Sequence, residues 1–288
     1  MRLLFPLLAS VLLAAPAHAQ TVPPLPADQV RLEAIYRLTY RPDSTAPATR
    51  TETMRLQIGS KWSRFESLTS LRGDSILTAA VMAGETQSKA TGVMPTLNMD
   101  AMGLATTYRS GFRGQYIFKT PTAKQTLVAD IMGTTHYLYS EPAPVAWAIG
   151  TATATIAGYA CQQATATWGG RNWQAWFARE IPVADGPYKF YGLPGLIVQV
   201  ADTRQHYVYE LVALRRKPAP VALTLPDATA RPITKEKFVT GKAEYTRNAM
   251  EQMMASGNIR FKTPEEETAF RQKARERAKR PTNPIELK

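Results

Sequence analysis

Residues 153–178 read TATIAGYACQQATATWGGRNWQAWFA, and this stretch decides the fold class. Its first part, up to Trp168, is a long run of small and β-branched residues, which is typical of a strand. Gly169 and Gly170 then supply the positive φ that a two-residue hairpin turn requires. After this turn, alternate positions are apolar: Trp173, Ala175 and Phe177. The stretch therefore predicts a β-hairpin.

Strand-like segments recur on both sides of this hairpin. They cover residues 31–41, 54–65, 115–119, 135–139, 196–200 and 207–214. A turn precedes the segment at 196–200, and it contains Gly192, Leu193, Pro194, Gly195, Leu196 and Ile197. Pro194 and Gly195 suit the two central positions of a type II turn. We predict a mainly β (α+β) fold, an antiparallel meander in which this turn is a structural corner.

The last part of the chain changes to a helical period. Apolar residues recur at helical spacing from Phe238 onward, and Thr263 followed by Pro264 is typical of the start of a second helix. One or two C-terminal helices are therefore predicted. Residues 67–114 show no sustained period, so helix, loop and strand all stay open there.

The N-terminus has the signature of a secretory signal peptide over residues 1–19. A positive start and an apolar run lead to Ala17-His18-Ala19 as a cleavage site. The run is too short to span a membrane, and no later segment is long enough. We expect a soluble protein exported to the periplasm or beyond it, with outer-membrane association as one option. Its parts would be an antiparallel β domain (20–225) and a helical appendage with a basic tail (226–288).

Charge and cysteine content narrow the range of partners. The formal net charge is +12, from 35 Lys and Arg against 23 Asp and Glu. Export separates this basic chain from cytoplasmic nucleic acid and no nucleic-acid-binding motif accompanies the charge, so we expect no nucleic-acid partner. Cys161 is the single cysteine, which excludes an intramolecular disulfide. Its small, apolar surroundings in the sequence favour a buried, inert thiol.

Catalytic and metal-binding patterns are missing from the sequence. It contains no G-x-S-x-G elbow, no phosphate-binding glycine loop and no paired His or Cys spacing for a metal, so we expect no cofactor and no catalytic residue. A hydrolase with a dispersed site stays open as an alternative. A second alternative is periplasmic copper handling, because the thioethers of Met94, Met99 and Met102 could bind Cu(I).

Aromatic and basic residues are concentrated in the segment from Trp147 to Tyr191. The candidate binding residues within it are Arg171, Trp173, Trp176, Tyr188, Lys189 and Phe190. Packing in the core accounts for most such aromatic residues. An aromatic surface for an unknown small apolar or peptide ligand is the other interpretation.

The motif at 192–197, GLPGLI, resembles the signature of the GLPGLI family of exported proteins. Further segments resemble that family in the same order: Ile156-Ala157-Gly158-Tyr159, Ala175-Trp176-Phe177, Glu180-Ile181-Pro182, Gly186-Pro187-Tyr188-Lys189-Phe190 and the terminal Asn283-Pro284-Ile285-Glu286-Leu287. The resemblance implies an envelope protein of unestablished role, often considered beside TonB-dependent outer-membrane receptors, and carries over no catalytic residue. A strand meander packed with helices is also similar to the half-barrel of lipoprotein carriers such as LolA. We therefore expect a non-catalytic binding or accessory protein associated with outer-membrane transport.

Overall fold

A computed structural model describes residues 25–91, 99–108, 110–120, 124–141, 145–225, 229–255, 263–278 and 282–287. The proposed signal peptide, residues 1–19, lies outside these ranges. The strands are β1 (Asp28–Tyr40), β2 (Arg50–Ile58), β3 (Ser63–Ser67), β4 (Tyr116–Thr120), β5 (Gln125–Met132), β6 (Thr135–Glu141), β7 (Ala148–Ile156), β8 (Tyr159–Trp168), β9 (Arg171–Ala178), β10 (Leu196–Asp202), β11 (Tyr207–Leu223) and β12 (Arg231–Pro232).

These strands form one mixed, open sheet in the order β12-β6-β5-β4-β3-β2-β1-β11-β10-β9-β8-β7. All neighbours pair antiparallel except β12, which runs parallel to β6. The mainly β prediction and the hairpin that pairs Trp168 with Arg171 are confirmed. The single long strand up to Trp168 was wrong, because positive φ angles at Ala157 and Gly158 turn the chain between β7 and β8.

The sheet must curve strongly, as the connection from β6 to β7 shows. These strands are ten positions apart in the sheet, which would separate them by about 47 Å if the sheet were flat. Only six residues, 142–147, connect Glu141 to Ala148, and a chain of this length spans at most about 25 Å. The two halves of the sheet therefore bend towards each other.

Four helices occur in the described ranges: α1 (Leu68–Thr91), α2 (Met99–Thr107), α3 (Lys235–Ala255) and α4 (Pro264–Ala278). The two C-terminal helices are confirmed, and the Thr263 hydroxyl accepts a hydrogen bond from the Glu266 amide at 3.2 Å, as an N-cap does. Helices α1 and α2 lie in the region that the sequence left open. Ser67 caps α1 by accepting from the Ser70 amide at 3.0 Å. Helix α3 packs on β5 and β6.

A long connection between β9 and β10, which we call the inner loop (residues 179–195), fills the inside of the curved sheet. Phe190 contacts Trp173 on β9 and Tyr209 on β11. The same loop bonds to strands on the far half of the sheet, since Asp185 pairs with Lys119 on β4. A loop can reach both halves only from the concave side. The core is therefore built around the inner loop.

The corner at residues 192–197 differs from the predicted type II turn. The Gly195 amide bonds to the Leu193 carbonyl, and the Leu196 amide bonds across to the Ile181 carbonyl at 3.1 Å. A Cβ on Gly195 would lie 2.2 Å from the backbone oxygen of Ala178, at a φ of +155°. Glycine is thus required here by close backbone contact as well as by φ.

Candidate functional site

Three groups of charged side chains lie around the inner loop, and the first is fully buried. Lys119 Nζ lies 2.5 Å from Asp185 Oδ1, with side-chain exposures of 0% and 2%. Lys119 also donates a hydrogen bond to the Gly186 carbonyl. Burial lowers the pKa of Lys119, although the charge of Asp185 opposes this shift. The contact holds the inner loop against β4 and has no access to solvent.

The second group is centred on Arg171, which begins β9 directly after the Gly169-Gly170 turn. Its guanidinium donates to the carbonyls of Pro284 and Ile285 at 2.6 and 3.0 Å. It also donates to Asn283 Oδ1 at 2.6 Å and to Asp202 Oδ2 at 3.2 Å. Arg171 therefore binds residues 283–287, which we call the C-terminal segment or tail.

The third group is centred on Lys189, whose ammonium lies 2.6 Å from carboxylate oxygens of both Glu141 and Glu286. Lys235 of α3 bridges the same two carboxylates, at 3.0 and 2.9 Å. The Tyr188 hydroxyl donates to Glu286 at 2.6 Å. The inner loop, β6, α3 and the C-terminal segment meet at this cluster.

Two pKa shifts follow from this cluster. Burial alone would raise the pKa of Glu286, but the charge and hydrogen bond of Lys189, the Tyr188 hydroxyl and Lys235 together lower it below its usual range. Burial alone would lower the pKa of Lys235, but Glu286 and Glu141 raise it. Both groups are therefore held in their charged forms at neutral pH.

An open cleft of about 400 Å³ lies between this cluster and α3. Helix α3 lines it with Lys235, Phe238, Val239, Lys242, Ala243 and Thr246, which share one helical face. The opposite wall and floor are Gln115, Asp130, Tyr139, Tyr188, Lys189 and Glu286. The cleft thus combines an apolar strip with ammonium groups and carboxylates.

The polar lining of the cleft has unused hydrogen-bonding capacity. Lys242 donates to Asp130 at 2.7 Å, and Gln115 Nε2 donates to the same carboxylate at 3.0 Å. Gln115 Oε1 is buried and has no partner in the described part of the chain. An ammonium has three donors, and Lys242 uses one of them on Asp130. A ligand with acceptor groups could use the remaining donors of Lys242, whose side chain is 42% exposed.

Part of this region is similar to a known family of proteins. A family model described as "Protein of unknown function (Porph_ging)" matches residues 169–199. Two solved structures of PNGF-II, in the P21 and C2 space groups, are similar with a TM-score of 0.50 at 10% identity. The similarity covers 75% of this chain and 33% of that chain, so this chain spans about a third of PNGF-II. A search of curated proteins found no match.

At 10% identity, the similarity to PNGF-II concerns the fold alone. The family match runs from the Gly169 turn through β9 and the inner loop into β10, so it contains both Arg171 and Lys189. Among the helices that the structure describes, none contains an apolar stretch of the length that a membrane span requires.

The structure separates the six residues predicted for binding into three sets. Trp173, Tyr188 and Phe190 are buried in one ring cluster, with Phe190 and Trp173 centroids 4.5 Å apart. Trp176 is half-buried on the other face of β9. Arg171 and Lys189 are buried too, and the charged groups of both bind the C-terminal segment, while Lys189 also lines the cleft. Tyr188 also has a φ of +52°, which is unusual for a bulky residue.

The residues of the alternative chemistries lie elsewhere. Met94 is outside the described residues, while Met99 and Met102 lie on α2. Burial raises the pKa of the Cys161 thiol, which contacts the Tyr159 carbonyl at 3.4 Å. In the part of the chain that the structure describes, no group of three His, Cys, Asp or Glu residues could hold a metal ion.

Sequence reasoning missed most of the cleft. Of its charged residues, Asp130, Lys235 and Lys242 fall in no motif, and no local pattern distinguishes them from ordinary surface charges. One signal was present for Glu286, because it belongs to the terminal Asn283-Pro284-Ile285-Glu286-Leu287 segment that resembles the family.

Proposed function

We propose that this chain is an exported, non-catalytic binding or accessory protein of the GLPGLI type, acting beside outer-membrane transport, and that the cleft on α3 is its ligand site. The observation that carries the proposal is the convergence of separate parts of the chain on this cleft. Tyr188 and Lys189 come from the inner loop, Glu286 comes from the C-terminal segment, and α3 supplies one wall. Export is supported by the signature at residues 1–19.

We further propose that the curved sheet is a half-barrel comparable to that of LolA-like carriers. The short β6–β7 connection supports this shape. The inner loop occupies the concave side, where such carriers hold acyl chains. In this chain the ligand would therefore bind at the α3 cleft, beside the filled interior.

The lining of the cleft favours a small peptide-like ligand. Phe238 and Val239 offer an apolar strip, while Lys242 has donors and the carboxylates of Asp130 and Glu286 have acceptors for polar groups. A peptide carries apolar side chains, carbonyl acceptors and N–H donors at short spacing, which matches this mixture. A fully apolar ligand would remove water from the partly exposed ammonium groups of Lys235 and Lys242 without offering them a hydrogen bond.

Native mass spectrometry of the protein purified from its own envelope tests this function. We expect a retained adduct on the wild-type protein and its loss in Val239→Trp, because the indole would fill the cleft. Val81→Trp is the matched control, since Val81 is also an exposed helical valine, at 46% against 54% for Val239. An adduct that survives Val239→Trp, or the absence of any adduct on the gently purified wild type, would argue against the cleft as the ligand site.

A further inference from the structure

The last residues of the chain lie on the body of the protein in the way that a bound peptide lies in its receptor. Three successive backbone carbonyls accept hydrogen bonds from side chains. Tyr207 Oη donates to the Asn283 carbonyl at 2.5 Å, and Arg171 donates to those of Pro284 and Ile285. Recognition of consecutive backbone carbonyls is how proteins bind peptides irrespective of side chain.

The backbone amides and side chains of this segment are recognised as well. The Asn283 amide donates to the Pro42 carbonyl at 3.0 Å, and the Leu287 amide donates to the Gly169 carbonyl at 2.7 Å. The side chains of Asn283 and Ile285 are buried, with exposures of 5% and 8%. The carboxylate of Glu286 is bound as well, by the ammonium of Lys189. Binding therefore selects an amide, an aliphatic group and a carboxylate at fixed positions.

The residues that bind this segment are themselves held in place by contacts that do not involve it. Asp202 accepts from Arg171 and also from the Tyr207 amide at 2.7 Å. Tyr207 stacks on Tyr40, with ring centroids 5.7 Å apart. Lys189 is held by Glu141 at 2.6 Å. A groove with its charged groups already positioned loses little conformational freedom on binding.

We propose that the groove around Arg171, Tyr207 and Lys189 is a peptide-recognition site for extended segments of the Asn-Pro-Ile-Glu class. The chain's own residues 283–287 occupy it in cis, and it accepts the same peptide in trans when these residues are released. The proposal requires no ligand in the α3 cleft, although Lys189 and Glu286 belong to both sites. Because a tethered segment competes at an effective concentration of about millimolar, the intact tail masks the site.

The test uses a fluorescent peptide of residues 282–288, TNPIELK, and the full-length chain. In the double variant Asn283→Ala/Glu286→Ala the tail keeps Ile285 over the core but loses its two polar side-chain anchors. We expect the peptide to bind this variant about tenfold more tightly, or better, than it binds the wild type. Leu287→Ala is the matched control, since that side chain is 50% exposed and the variant should behave as wild type.

Two results would overturn the proposal. One is a folded double variant, with unchanged circular dichroism, that binds the peptide no better than wild type. The other is equal binding of a control peptide in which Asn and Glu are replaced by Ala, because this would mean that the groove does not read those side chains.

Hydrogen exchange on the wild-type protein keeps the proposal testable if the double variant does not fold. A tail that leaves its groove exposes the amides of Asn283 and Leu287 by local opening. We expect them to exchange at least about tenfold faster than the Ile197 amide, which bonds to the Asp185 carbonyl inside the core. Equal rates would mean that the tail opens only on global unfolding, which contradicts the proposal.

Discussion

Replacement of Lys119 by Met tests the role of the inner loop most directly. The substitution keeps the length of the side chain and removes the charge that faces Asp185. Removal of one partner from a buried ion pair costs about 3–5 kcal/mol, because the remaining charge stays in the interior. Asp185 keeps one donor, the Gly186 amide at 2.7 Å, so we expect a loss near the lower limit, about 3 kcal/mol. This is a large part of the total stability of about 5–15 kcal/mol of an ordinary domain.

Urea denaturation followed by tryptophan fluorescence measures the free energy of unfolding. The control is Arg37→Met, because Arg37 forms a pair of similar length with Glu210, 2.9 Å, at 54% exposure. An exposed pair contributes less than about 1 kcal/mol. The double variant Lys119→Met/Asp185→Leu should recover most of the loss, since no unpaired charge is left. A cost for Lys119→Met no greater than that of Arg37→Met would refute the assignment of this pair as the buried link between the inner loop and β4.

Three further predictions concern the corner and the C-terminal segment. Gly195→Val should lower the free energy of unfolding by about 3 kcal/mol or more, through overpacking against Ala178 and backbone strain, and an unchanged melting temperature would contradict this. Burial would raise the pKa of Glu286, but the stronger effect of Lys189 leaves it below its ordinary value of 4.5. The contribution of Glu286 to tail docking is therefore complete above pH 4.5 and is lost as the pH falls through the lowered pKa. The protection of the tail amides, taken relative to their intrinsic exchange rate at each pH, should fall over that acidic range in the wild type and show no such fall in Glu286→Gln. Arg171→Lys should cost about 2 kcal/mol or more, because an ammonium cannot replace the forked guanidinium, and wild-type thermal stability in this variant would show that the fork is not needed.

The strands were predictable where their pairing depends on neighbouring residues. The β8–β9 hairpin is an example, because a Gly-Gly turn and the alternation after it determine the pairing locally. Helix α1 was not predictable in the same way. Its 24 residues are mostly small or polar and its outer face is solvated, so no apolar stripe marks the helical period. Only the Ser67 cap indicates where it begins.

The corner and the site depend on contacts between distant residues, and local patterns do not contain them. Pro194 and Gly195 favour a type II turn by themselves, yet the Ile181 carbonyl takes the Leu196 amide that such a turn would use. The position of Arg171 beside the Gly-Gly turn predicts a charged candidate, but its partners Pro284 and Ile285 are more than a hundred residues away. Nothing in the spacing of either segment predicts that they meet.

The architecture explains why the family match covers only residues 169–199. Residues 169–199 must satisfy several requirements together: a tight turn at Gly169, a buried strand, and a loop that fills the concave side while binding both halves of the sheet. A substitution there alters contacts to β4, β6 or the C-terminal segment at once, so few sequences fit. The N-terminal strands have a simpler requirement, an apolar inner face in the correct register, which many sequences meet. A stretch of 31 residues can therefore be recognisable while the sheet around it keeps only its alternation, and this also accounts for a shared fold with PNGF-II at 10% identity.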